Sequence, residues 1–270
     1  MDAPTLTAPA TPIPETPKKA VRTVGSEIAY GLRFARKHIG VLCLVFFGLL
    51  LPLWGFAALY VDVHRHHVFA FDVPLLSMLH ALATPTLDKF FVLISKFGFV
   101  WGVVPLDVIV LLWLALRRRY RDSLFFALAV IGSAVLNFAV KNYVTRARPS
   151  LWLSITPEAT YSFPSGHAMA SATLGLALIL LFWPTRSRWF VAITVAVLVL
   201  LIGVSRVYLG VHYPSDILAA WSAAIAWTMA MHQLVDRKAP PPPVVVSGTD
   251  AVGKGPGTAK PTEPAPSPAS

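Results

Sequence analysis

Apolar residues gather along this chain into six long runs, and the short segments between them carry most of the charge. The runs fall at about 39–61, 98–116, 123–140, 167–183, 189–204 and 216–235. Each approaches or exceeds the roughly 20 residues that a helix needs to cross the hydrocarbon core of a bilayer. A buried core cannot supply six such runs in 270 residues. The pattern therefore predicts an all-α, polytopic membrane protein with six transmembrane helices. Between the first two runs, Leu75, Leu76, Met78, Leu79 and Leu82 recur at helical spacing, which predicts a short helix on the membrane surface. The two ends differ in kind. Residues 1–23 are rich in Pro, Thr and Ala, and residues 239–270 in Pro, Gly, Lys and Ser. Neither can bury enough apolar surface to offset the cost of ordering, so both are predicted to be disordered tails around one membrane domain at 24–238.

Composition sharpens this picture. Only 13% of residues are charged, against about 25% in a soluble domain. The net charge of +10 does not mark a nucleic-acid-binding surface, because the basic residues sit in the loops between apolar runs. Their distribution sets the orientation instead. Arg33, Arg36 and Lys37, then Arg117, Arg118, Arg119 and Arg121, then Arg186 and Arg188, then Arg237 and Lys238 fall on one side of a six-span chain. That side is predicted to be the cytoplasm, with both termini inside. The single cysteine, Cys43, lies within the first run and has no disulfide partner. That first run starts late and is too long for a signal-peptide core, so it reads as an uncleaved anchor.

Cations on the opposite side break the orientation rule and need a chemical reason. After the third run comes Lys141, with Arg146 and Arg148-Pro149 close behind. Just before the fourth the chain reads Pro164-Ser165-Gly166-His167. From the fifth into the sixth come Ser205-Arg206, His212, Pro214 and Asp216. Alternating spans bring all three clusters to one membrane depth. Such an inventory suits a phosphate ester, whose transfer depends mainly on positioning and charge stabilisation. Arg148 and Arg206 offer forked guanidinium contacts and Lys141 a point charge. Ser165 and Gly166 open a helix whose free N–H groups favour an anion. Asp216 can fix the tautomer of His212 that leaves Nε2 free to attack phosphorus, and His167 is the candidate acid for the departing oxygen.

These residues resemble the type-2 phosphatidic acid phosphatase, or lipid phosphate phosphatase, family. Its signatures are Lys-x6-Arg-Pro, Pro-Ser-Gly-His and Ser-Arg-x5-His-x3-Asp, and all three occur here without substitution. The resemblance spans about 71–235. It implies a six-helix membrane fold and a phosphohistidine on His212, with Asp216 beside it and His167 protonating the leaving group. It further implies phosphate binding by Lys141, Arg148, Ser165, Gly166 and Arg206. No cofactor or metal is expected, because of the acids on that side only Asp216 belongs to the cluster and it is committed to His212. The same pocket occurs in vanadate-dependent haloperoxidases and some soluble acid phosphatases. The implied partners are a membrane lipid phosphate and the bilayer itself, at the outer face of the cytoplasmic (inner) membrane.

The residues leave some questions open. Phosphatidic acid, phosphatidylglycerol phosphate, undecaprenyl diphosphate and lipid A phosphates share one headgroup chemistry. A lipid phosphotransferase with the same pocket, or a non-enzymatic membrane carrier, is the alternative class. Oligomeric state has no signature in the sequence. Arg146 reads equally as an interface anchor or as part of the cluster. Asp107, in the middle of the second run, reads as the donor or acceptor of a structural hydrogen bond inside the bundle. His64, His66 and His67 lack the helical spacing and nearby carboxylates of a metal site, so no metal is assigned.

Overall fold

The computed structural model describes residues 38–67 and 69–235, and the two expected tails lie outside them. Helices make up all the regular structure among the described residues. They are α1 (His38–His64, with a π-helical stretch at Phe46–Leu50), α2 (Asp72–Ala81), α3 (Pro85–Phe97) and α4 (Val103–Leu116). They continue as α5 (Tyr120–Val144), α6 (Gly166–Phe182), α7 (Arg188–Tyr208) and α8 (Pro214–Val235). Six of the eight match the predicted runs to within a few residues. The second begins later than expected because Gly98–Gly102 turns before α4 starts. Three helices, α1, α5 and α7, are by themselves long and apolar enough to cross a membrane, while α4 and α6 are shorter apolar helices.

Local chemistry explains several ends. The Thr84 side chain accepts the Leu87 N–H at 3.3 Å and Pro85 occupies the first turn, which together start α3. Thr145 closes α5 in a left-handed conformation (φ 51°) and turns the chain into the long loop 145–165. Helices α6, α7 and α8 form the centre, with α1 against α8 and α5 against α6 and α8. Small residues let these axes approach. A β-carbon at Gly175 of α6 would meet Val195 of α7 at 2.5 Å. Ala168, Ser171 and Ala172 on the same helix are buried as well.

The predicted surface helix is α2, and a second short helix follows it in α3. Both pack on α7, where Leu87, Phe91 and Val92 lie against a buried cluster of Tyr208, Leu209 and Val211. Elsewhere the outer faces of the bundle expose large apolar side chains such as Trp54 (69%), Phe138 (71%) and Phe190 (74%). Apolar surface on this scale suits lipid rather than water.

Candidate active site

All eight predicted site residues lie at one end of the bundle, on the last turn of α5, the first turns of α6 and α8, the end of α7 and the adjoining loops. The turn after α7 sets the nucleophile candidate. Gly210 takes a left-handed conformation (φ 69°), and the N–H groups of Val211 and His212 return to the Arg206 carbonyl at 3.2 and 3.3 Å. His212 is thereby folded back beside the Arg206 side chain and is fully buried. Pro214 then begins α8, where its missing N–H costs nothing. The Ser165 N–H reaches the Asp216 carbonyl at 3.3 Å, so the starts of α6 and α8 are tied together. Asn137 of α5 donates to the Pro164 carbonyl at 3.3 Å.

Arg148 Nη1 lies 3.1 Å from His212 Nε2. A guanidinium only donates, so Nε2 is the bare nitrogen and Nδ1 carries the proton. Nδ1 faces Asp216 Oδ2 at 3.5 Å and makes no hydrogen bond among the described residues. Burial, then the charges of Arg206 and Arg148, push the His212 imidazole well below its ordinary pKa. It is a neutral base at working pH. His167 lines a cavity of about 310 Å³ together with Lys141, Glu158, Thr160 and Gly166.

Three residues enter the site that its signatures do not include. Glu158, from the long loop, binds Arg148 Nη2 through Oε2 at 2.7 Å and Arg206 Nη2 through Oε1. Arg206 also donates to Ser95 of α3. Burial opposes ionisation of Glu158, but Arg206 and Arg148 outweigh it and hold the carboxyl at about 2. Burial of Arg148 in turn lowers its own pKa, and Glu158 and Asp216 counter that effect.

Arg146 is no interface anchor. Its guanidinium joins Asp216 Oδ1, Asp72 Oδ2 at 2.9 Å and Ser215 Oγ at 2.8 Å, and lies 4.1 Å above the Tyr213 ring. Asp72, at the start of α2, is fully buried and accepts the Ser215 N–H and hydroxyl at 2.9 and 2.6 Å. Signals for these residues existed. Arg146 sits on the side where cations are unexpected, and Asp72 and Glu158 are among the few acids there.

Asp107 makes no hydrogen bond among the described residues, which corrects the reading of a structural bond inside the bundle. It lines a mostly apolar groove of about 530 Å³ between α4, α5 and α6. Phe99, Asn137 and Gly166 line both this groove and the cavity beside His167, so the two are neighbours. His64 stacks between Tyr60 and Tyr143 at 5.7 and 5.8 Å, and His67 lies 3.4 Å from Asp62, which corrects the reading that no carboxylate stands near these histidines.

Comparison with known proteins places this arrangement. The model of the PAP2 superfamily matches residues 122–240. Undecaprenyl-diphosphatase of Sulfolobus acidocaldarius is 30% identical over 184 residues, covering 65% of this chain and 84% of that protein. Phosphatidylglycerophosphatase B of Bacillus subtilis is 29% identical over 175 residues, covering 63% and 86%. Among solved structures, the transmembrane PAP2-type phosphatidylglycerolphosphate phosphatase from Bacillus subtilis superposes with a TM-score of 0.59 at 26% identity. That match covers 68% of this chain and 94% of the other.

Proposed function

The chain belongs to the PAP2 superfamily and is a phosphatase, and from that premise we propose that it hydrolyses a lipid phosphate or diphosphate through a phosphohistidine on His212. The observation that carries this reading is the bare Nε2 of buried His212, 3.1 Å from Arg148 and beside Arg206. In the first step Nε2 forms a bond to phosphorus as the bond to the lipid oxygen breaks. Arg148, Arg206 and Lys141 stabilise the spread charge, together with the N–H groups at the start of α6. Ser165 Oγ and Arg206 Nε are buried without a hydrogen bond among the described residues, and each can donate to a phosphate oxygen. His167 gives its proton to the departing oxygen. In the second step water attacks the phosphohistidine, His167 takes the water's proton, and phosphate leaves. Asp216 steadies the positive charge that His212 gains, and Arg146 fixes that carboxylate.

The apolar groove beside the site supports a lipid substrate, because a hydrocarbon chain can lie between α4, α5 and α6 next to the headgroup site. The relatives named for phosphatidylglycerophosphate and undecaprenyl diphosphate make those two lipids the first candidates. In this reading α1 and α4 to α8 are the six spans of a domain at 24–238. The arginine-rich turn 117–121 lies in the cytoplasm, with both termini, and the catalytic end faces outward. Charge neutralisation comes from the chain itself, since Asp72, Asp216 and Glu158 are each already held by a guanidinium.

Phosphate release by the detergent-purified protein from both lipids, in EDTA, tests the proposal. Full activity is expected, with turnover but not lipid binding lost in His212→Ala. Activity that vanishes on chelation and returns with magnesium, or that survives in His212→Ala, would overturn it.

A further inference from the structure

The carboxylate of Glu158 stands where the phosphate must bind. Its two oxygens contact Arg148 and Arg206, the two guanidinium groups of the cradle, and Oε2 is 4.0 Å from the attacking nitrogen of His212. An attacked phosphorus must come within roughly 3–3.5 Å of that nitrogen. Both anions cannot occupy this space. A carboxylate also fits the cradle incompletely, because Ser165 Oγ and Arg206 Nε stay without hydrogen bonds, whereas a phosphate brings further oxygens. No helix holds the glutamate in place. It belongs to the non-helical segment between Leu151 and Ser165, and its side chain keeps 27% of its surface exposed.

We propose that Glu158 is an internal competitor for the phosphate site, displaced when substrate binds and returning to expel the phosphate product. The inference rests on the phosphatase reading above and adds to it a role in product release. The arginines then never lie unpaired in a partly apolar setting, where isolated charge is costly. Returning carboxylate and bound phosphate repel each other at close range, which speeds the last step. While paired with the two arginines Glu158 is held at about 2, so it sits in the cradle as the anion that phosphate must replace.

The sign of one change separates this role from a merely structural one. If Glu158 competes, Glu158→Gln tightens inhibition by inorganic phosphate and by vanadate at least about tenfold, given the loss of a like charge about 4 Å away. Both KM and kcat for lipid substrate then fall, as release becomes limiting. If Glu158 serves only to pin the two arginines, both inhibitors weaken, and that result overturns the proposal, as does an unchanged inhibition constant. Glu158→Ala must shift in the same direction. Hydrogen exchange on the unaltered full-length protein gives a reading independent of any substitution. Vanadate should accelerate exchange at the amides of 158–161, and protection there would count against displacement. A wild-type protein that hydrolyses no lipid phosphate would instead refute the underlying phosphatase reading.

Discussion

At one end of the bundle Arg146, Arg148 and Arg206 lie largely out of water, with side chains 12%, 12% and 2% exposed, and each grips a carboxylate. At the other end Arg117, Arg118 and Arg119 stand exposed, and the Arg119–Asp122 pair at 2.6 Å joins side chains 44% and 37% exposed. The residue type is the same and the physics is not. An exposed pair contributes about 0–1 kcal/mol, whereas stripping one partner from a buried pair costs about 3–5 kcal/mol. Cations at the exposed end can do their work as a count of charge. Those at the buried end act through geometry, which only particular partners can satisfy.

The largest test of this contrast pits Arg206→Ala against Arg119→Ala. The first should lower kcat/KM for lipid phosphate by about a thousandfold, since it removes a transition-state contact. The second should change it less than about twofold. Comparable losses in phosphate release would erase the distinction between the two ends.

A smaller effect is expected from the pair that never meets the substrate. Asp72→Asn and Arg146→Ala should each lower kcat about 10- to 100-fold, the usual cost of losing a group that orients a reactive one, with KM nearly unchanged. The double variant should lose little more than either alone, because both act through Asp216. Additive losses, or a KM effect as large as the kcat effect, would show that the pair does not work by positioning.

The smallest expected change in activity accompanies the most direct view of sidedness. In a Cys43→Ser background, a membrane-impermeant thiol reagent on intact cells should label Leu153→Cys but not Arg118→Cys. Leu153 is 93% exposed on the catalytic loop, so access there depends on which side it faces. The reverse pattern would turn the catalytic end to the cytoplasm.

Much of this architecture was legible in the residues because its information is local. Apolar runs of span length become helices wherever they fall, and Pro214 and Ser165-Gly166 mark the helix starts that the structure uses. The cations of the site were legible because alternating helices carry equivalent ends to one side. Pairing was not. Asp72 meets Arg146 across 74 residues and Glu158 meets Arg206 across 48, and no spacing encodes contacts made by helix packing and a folded loop. Asp107 failed for the converse reason. Its helix position suggested a bundle-facing acid, yet α4 turns it toward an apolar groove.

The network at Asp72, Arg146 and Asp216 also has an order in time. These residues leave the ribosome in that sequence, and the last comes with α8, which packs on α1, the first helix described. Asp72 and Arg146 can neutralise one another as soon as the loop after α5 is made, so the growing protein need not carry either charge alone. His212 and Asp216 follow later, with the start of α8, the last helix among the described residues. If His212 is the nucleophile, a chain that has not yet added α8 lacks both the nucleophile and the carboxylate beside it, and cannot hydrolyse its substrate early.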